Sequence, residues 1–481
     1  MDLVVGFDLD MTLVDSRAGI AATLRAAAAD VGISLTDEQV WPTIGIPLED
    51  ALRQWMPEEQ VQQVAAGYRD RYPDTGVPVT TLLPGAQAAL AAVRALGGRT
   101  AVISAKIEPA VHAVLERVGL SAEVVIGDRF ALAKAQVLRE LGAQVYVGDH
   151  PGDVVAALGA DAASVAVATG PTGATDLLAA GADVVLPSLE AFPEWLEEHV
   201  LGLRLAALDR AFQEISASGP VVVAFSGGAD SAFALAAAVR SLGAGRVVAA
   251  TALSPSLATG ELESAASFAA DLGVRHMTPA THELDREGYV ANAGNRCYYC
   301  KSELVDVLTA LDPVSAGATV VTGTNADDAR AGFRPGIKAA DERGAMAPLR
   351  DVGLTKAQVR EASRRWGLST WDKPAAACLS SRVAYGVPVT REGLARIDRA
   401  ELAVRAELAG GGLVADNVRV RDLGDGLGRI EVDQALLLEL MPELLPEPAP
   451  QQPSEVSEVS EVSEVSEVSE VSEVGQRLLA A

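Results

Sequence analysis

The 481-residue sequence has three cysteines, few aromatic residues, no basic excess and no long apolar run. Three cysteines cannot frame a disulfide scaffold, so a reducing, cytoplasmic compartment is expected. Lys and Arg number 39 against 65 Asp and Glu, a net charge of −26. That balance excludes a dedicated duplex binder with a basic face, and no nucleic-acid partner is expected. It leaves room for a small anion in a local basic pocket. No stretch of about 18 apolar residues exists, so no membrane span is expected. The first residues, MDLVVGFDLD, lack a basic region followed by an apolar stretch, so a secretory signal is not expected either. Aromatics make up only 4%, whereas apolar residues reach 49% and occur in both halves. The cores must then be built from Ala, Val and Leu, as Ala-rich helices packed on Val-rich strands.

The length suggests two or three domains. Apolar runs at 3–7, 100–103, 123–126 and 145–147 read as buried strands, with helical spacing at 85–96 and 109–119. Such alternation predicts a doubly wound parallel sheet binding ligands beyond its carboxyl ends. Residues 16–80 break the rhythm with helical sequence, which predicts an inserted helical cap. A second cycle starts at 221–225, continues at 247–251 and includes 319–321. The expected architecture is therefore α/β with two Rossmann-like domains, at 1–197 and 198–385. A small α+β domain over 386–446 is expected to follow, with a helix at 391–409 and two strands within 417–433. Residues 447–481 hold a Pro-rich stretch and seven Ser-Glu-Val triplets, too acidic and too poor in aromatics to bury a core. A solvated, disordered tail is expected there.

In FDLDMTLVDS, Asp8, Asp10 and Thr12 follow the first strand. Two carboxylates two residues apart can share one site, one attacking phosphorus while the other protonates the leaving oxygen. Ser104 ends the next strand, Lys134 opens a helix, and Gly148, Asp149 and Asp153 follow a later strand. The last two carboxylates suit Mg²⁺. Four pieces in this order, each at a strand end, resemble the haloacid dehalogenase-like hydrolases over residues 1–197. The resemblance implies Asp8 as nucleophile and Asp10 as general acid/base. It implies Thr12, Ser104 and Lys134 as phosphate binders, and Asp149 and Asp153 beside Asp8 and Asp10 around Mg²⁺. Lys106 rivals Lys134 for its role. Met11 stands where that family commonly has Gly, tolerable if its side chain points away.

SGGADS (226–231) follows the second unit's first strand and opens an Ala-rich helix. Gly227 and Gly228 admit a polyphosphate to the backbone N–H groups, Ser226 and Ser231 add hydroxyls, and Asp230 can hold Mg²⁺. The Walker spacing and its Lys are missing. The loop resembles that of the ATP pyrophosphatases. RCYYCK (296–301), GTNADD (323–328), FRPG (333–336), KPAAACLSSR (373–382) and YGVPVT (385–390) extend the resemblance to the LarE-type sulfur transferases, over about 200–440. That family serves synthesis of the nickel-pincer nucleotide cofactor of lactate racemase. It adenylates a carboxylate of a pyridinium dicarboxylate mononucleotide and converts it to a thiocarboxylate.

Cys378 matches the family's sulfur donor. Asn325 and Asp328, with Asp327, are expected at the ATP end; Arg334, Arg419 and Arg421 are expected to bind substrate. Cys297 and Cys300 read as half a zinc site, a redox pair or packed thiols. With Cys378 they could hold a [4Fe-4S] cluster, or zinc with His276 or His282. Expected partners are a nucleotide-like small molecule, other proteins of that cofactor pathway and a second copy of the chain. The competing readings are a tRNA thiolase, an amide-forming enzyme and a non-catalytic nucleotide-binding scaffold.

Overall fold

A computed structural model describes residues 3–440 except 316, 331, 375, 376 and 416. The Ser-Glu-Val tail, expected to be disordered, and the last residues of segment 386–446 lie outside the described residues. The chain divides into two compact units, Met1–Gly202 and Leu203–Ala481. The division falls inside helix Phe192–Ile215.

The first unit opens with β1 (Val4–Phe7) and β2 (Val14–Asp15), and β3 (Thr81–Leu82) pairs antiparallel with β2. Four helices lie between β2 and β3: Arg17–Ala29, Asp37–Val40, Leu48–Leu52 and Glu58–Thr75. The chain continues through β4 (Arg99–Ile103), β5 (Val124–Ile126), β6 (Val145–Gly148), β7 (Ala163–Val167) and β8 (Val184–Leu186). Six strands form one parallel sheet in the order β5-β4-β1-β6-β7-β8. Every residue of β1 and β6 is buried, which is why their sequences are unbroken apolar runs. The strand order reverses at β1, so the crevice for a ligand opens beyond the ends of β1, β4 and β6.

The second unit holds β9 (Val221–Ala224), β10 (Val247–Ala250), β11 (Arg275–Met277) and β12 (Thr319–Thr322), parallel in the order β11-β10-β9-β12. Here the order reverses at β9. Helix Ala229–Leu242 follows β9 and buries nine of its residues, mostly Ala. After helix Arg391–Gly410, strands β13 (Val418–Gly424) and β14 (Leu427–Val432) form a hairpin around Asp425 and Gly426, the smaller α+β region. Among the described residues no helix is long and apolar enough to cross a membrane.

Candidate functional sites

Beyond the carboxyl ends of β1 and β6, Asp8, Asp149 and Asp153 each bring a carboxylate oxygen within 4.8 Å of the others. Asp8 leaves β1, Asp149 leaves β6, and Asp153 sits in the first turn of helix Pro151–Gly159. Lys134, from helix Leu132–Leu141, donates from Nζ to Asp8 Oδ1 at 2.6 Å and to Asp153 Oδ1 at 2.7 Å. Thr12 Oγ1 donates to Asp149 Oδ1 at 2.9 Å. All five side chains are buried.

Taking three carboxylates from water raises their proton affinity. Asp8 is pushed up to about 7, by burial first; Lys134 opposes the rise while Asp153 and Asp10 add to it. Burial, then Asp8 and Asp153, holds Asp149 well above the carboxylate range. Asp149 Oδ2 is buried without a hydrogen-bond partner. Orphaned oxygen and clustered carboxylates together suit a hard divalent cation, and Mg²⁺ fits the donor set.

Asp10 stands slightly apart. Its Oδ2 lies 3.3 Å from Lys106 Nζ, and that ammonium sits 4.3 Å above the Tyr72 ring. Ser104 is buried at the end of β4, and its Oγ accepts from the Lys106 backbone N–H at 3.1 Å. Both lysines therefore reach the site, Lys134 among the clustered carboxylates and Lys106 at Asp10. At Met11 the φ is 58°, the left-handed region that favours glycine, and the side chain is buried in the core. Tyr68 and Tyr72, from helix Glu58–Thr75, border Lys106. Nothing in the sequence pattern distinguished them from core aromatics.

In the second unit the 226–231 loop leaves β9. Gly227 adopts a φ of 73°, and Gly228 caps helix Ala229–Leu242. Ser231 Oγ donates to Gly228 O at 3.0 Å and meets Ser226 Oγ at 3.1 Å, which fixes the turn. Asp230 lies in the helix's first turn, with Oδ2 3.5 Å from Lys356 Nζ. Burial raises its proton affinity, Lys356 opposes the rise, and Asp328 adds to it. Asn325 Oδ1 accepts from the N–H groups of Asp327 and Asp328 at 2.9 and 3.1 Å, anchoring helix Ala326–Arg330 beyond the end of β12.

Lys373 Nζ donates to Gly227 O at 3.1 Å and pairs with Glu261 at 2.8 Å. This lysine, quoted within a motif but given no role from the sequence, ties the segment bearing Cys378 to the glycine loop. Cys378 is exposed, and its Sγ lies 3.0 Å from Ser380 Oγ. Arg382 fixes that stretch, donating to Cys378 O at 3.2 Å while paired with buried Glu401 at 2.9 Å. Arg419 and Arg421 share one face of β13, opposite Glu431 and Arg429 of β14. Arg421 pairs with Glu431 at 2.6 Å and donates to Ser381 O at 3.0 Å. Arg334 is exposed and lines a separate cavity with Ile337, Lys338 and Arg350.

Of the readings left open for the cysteines, a site for a single ion finds no support. Among the described residues, Asp8, Asp149 and Asp153 are the only group of three His, Cys, Asp or Glu side chains that close. Cys297 is exposed, whereas Cys300 packs against a core that includes Tyr289 and Leu379. Burial pushes the Cys300 thiol up to about 12, with Cys378 and Glu283 adding to the effect. His276 bonds Thr251 at 2.8 Å, and among the described residues neither His276 nor His282 closes with the cysteines around one ion.

Residues 5–167 match the family model described as haloacid dehalogenase-like hydrolase. Pyridinium-3,5-bisthiocarboxylic acid mononucleotide synthase of Lactiplantibacillus plantarum is 33% identical over 215 residues, 45% of this chain and 75% of that protein. The chain belongs to the LarE-type sulfur transferases and carries an N-terminal haloacid dehalogenase-like hydrolase domain. The chain is also 42% identical to an uncharacterized Synechocystis protein over 233 residues, 48% of this chain and 82% of that one. A phosphoglycolate phosphatase of Cupriavidus necator is 32% identical over 209 residues, 39% of this chain and 90% of that protein.

Proposed function

We propose that the chain is bifunctional, with an ATP-dependent sulfur transferase following a Mg²⁺-dependent phosphomonoester hydrolase of residues 1–197. The observation that carries the transferase reading is Lys373, which joins the cysteine-bearing segment to the carbonyl of Gly227. In this reading residues 198–385 hold ATP through Ser226, Gly227, Gly228 and Ser231. Asp230 is the residue for Mg²⁺, and Asn325 and Asp328 shape the other wall. A substrate carboxylate oxygen attacks the α-phosphate and expels pyrophosphate. The Cys378 thiolate then displaces AMP, forming a thioester. Loss of the Cys378 Cα proton and cleavage of its Cβ–S bond release a thiocarboxylate and leave dehydroalanine. Arg419 and Arg421, on 386–446, together with Arg334, take the anionic groups of the substrate. The substrate assigned is pyridinium-3,5-dicarboxylate mononucleotide, on the way to the nickel-pincer cofactor. It accords with the printed name of the L. plantarum relative.

In the hydrolase, Asp8 attacks phosphorus to form an aspartyl-phosphate, and Asp10 protonates the leaving oxygen. Thr12, Ser104 and Lys134 hold the phosphoryl oxygens. Asp8, Asp149 and Asp153 are the residues for Mg²⁺, whose chemistry is to neutralise charge between nucleophile and phosphate. Helices Arg17–Thr75 act as the cap. Two substitutions separate the modules: Asp8→Asn should abolish phosphomonoester hydrolysis, and Asp230→Ala should abolish substrate-dependent pyrophosphate release. Loss of both activities in either folded variant would refute two independent sites.

A further inference from the structure

Among the described residues, the only hydrogen-bond partner of Cys378 Sγ is Ser380 Oγ, at 3.0 Å. Ser380 is buried in the short turn Leu379–Arg382, and its hydroxyl also bonds that of Tyr289. Tyr289 Oη in turn lies 2.5 Å from Ser256 Oγ. Ser256 and Tyr289 are buried as well, and the Tyr289 ring packs in a core with Leu379, Val383 and Leu394. The Leu379 N–H donates to Ser256 O at 2.9 Å, which pins the cysteine segment over these groups. A row of three buried hydroxyls thus ends on an exposed sulfur. Arg382 is committed elsewhere, to Glu401 and to the carbonyls of Ala377 and Cys378.

We infer that Ser380, backed by Tyr289 and Ser256, is the hydrogen-bond donor that holds negative charge on the Cys378 sulfur. This rests on, and deepens, the reading of Cys378 as the sulfur donor. Proton counting fixes the direction of the row, because each hydroxyl has one proton to give. A charged sulfur has none, so Ser380 donates to it. Ser380 Oγ then accepts from Tyr289, and Tyr289 accepts from Ser256. Three protons fill three contacts, and all point toward the sulfur. Burial pushes the Tyr289 hydroxyl up to about 12, against the hydrogen bonds of the two serines, so it keeps the proton the row requires. Hydrogen bonds in a row polarise one another, and those to a charged group are the strong ones. The sulfur carries charge twice in the reaction. In the attack, the thiol proton passes to water, the S–C bond forms, and the acyl–oxygen electron pair leaves on AMP. In the elimination, the Cα proton passes to water, its C–H pair becomes the Cα–Cβ double bond, and the Cβ–S pair leaves on the thiocarboxylate sulfur. One donor serves both steps because the charged atom is the same.

The test is reaction of the full chain with iodoacetamide at about pH 7, read by peptide mass, with exposed Cys297 as the reference in the same molecule. Losing the donor leaves less thiolate, and the greater nucleophilicity of what remains offsets part of that loss. Ser380→Ala should therefore lower the ratio of Cys378 to Cys297 alkylation by about fourfold. Tyr289→Phe keeps the ring in the core and removes only the hydroxyl, and should lower the ratio by about twofold. In a single turnover with ATP, Mg²⁺ and pyridinium-3,5-dicarboxylate mononucleotide, Ser380→Ala should slow the appearance of dehydroalanine at 378 by about tenfold or more. The pyrophosphate burst, which precedes the sulfur's attack, should not slow with it. An unchanged alkylation ratio in Ser380→Ala, indifference to Tyr289→Phe, or a pyrophosphate burst slowed as much as dehydroalanine formation overturns the inference. Cys378 left unaltered after turnover of the native chain, beside ratios that fall in both variants, would retire the sulfur donor and leave the hydroxyl row standing.

Discussion

Replacing Lys134 with methionine removes the one ammonium that faces both Asp8 and Asp153 while keeping most of the buried volume. The three side chains are 2%, 6% and 7% exposed, and the two N–O distances are 2.6 and 2.7 Å. Breaking a buried pair from one side costs about 3–5 kcal/mol, because the partner charges stay behind uncompensated. The loss should depend on pH, and its sign follows from Asp8. That carboxyl is raised to about 7 in the folded chain against an ordinary value of 3.8, with Lys134 opposing the rise. A group whose folded pKa is raised binds a proton on folding, so its ionisation erodes stability as pH climbs through that value. Without Lys134 the folded carboxyl holds its proton still more tightly, and the erosion deepens. The variant should therefore lose more at pH 8 than at pH 5.5, where Asp8 is largely protonated in either protein. Native-state hydrogen exchange of peptides from β1 and β6 reads this unit alone, after correction for intrinsic rates. At pH 8, without divalent cation, exchange should quicken roughly 10²- to 10³-fold, and Mg²⁺ should restore part of the protection. A loss below about 1 kcal/mol, or one equal at the two pH values, would refute the reasoning.

Arg382→Met should strand Glu401, whose side chain is 9% exposed, and release the carbonyl of Cys378. A stability loss of about 3–5 kcal/mol, faster exchange over residues 378–389 and a lower single-turnover thiolation yield are expected together. Unchanged exchange there would show that the ion pair does not fix the cysteine segment. Cys297→Ser and Cys300→Ser should each retain one thiolation per chain, measured by product mass, since neither thiol joins a metal-ligand group. Concerted loss of iron and activity in both variants would restore the cluster.

Legibility from the sequence followed burial. The runs leading into Asp8, Ser104, Asp149 and the 226–231 loop are buried on both faces, so they read as strands whose ends carry chemistry. The strands at Ala163–Val167, Val184–Leu186 and Arg275–Met277 gave little signal. Val184–Leu186 and Arg275–Met277 are three-residue edge strands, and Arg275 and His276 break any apolar run; Ala163–Val167 is interrupted by Ser164. The left-handed backbone at Met11 is invisible in composition. A core can hold a side chain at positive φ when burial offsets a strain of about 1–2 kcal/mol. Lys373 and Tyr72 escaped notice because their roles depend on tertiary approach, to Gly227 and to Lys106 beside Asp10. The choice among the cysteine readings was hidden for a related reason. Spacing of three on a helix puts Cys297 and Cys300 on one side, but only packing decides that one is exposed while the other joins the core around Tyr289.

The fate of Cys378 decides where the transferred sulfur comes from. The full chain, free of added sulfide, should be allowed one turnover with ATP, Mg²⁺ and pyridinium-3,5-dicarboxylate mononucleotide, then digested for peptide mass analysis. One thiocarboxylate per chain is expected, with a peptide containing residue 378 lighter by the mass of one H₂S and Cys297 and Cys300 intact. Thiolated product formed in full yield beside an unaltered Cys378 would contradict it.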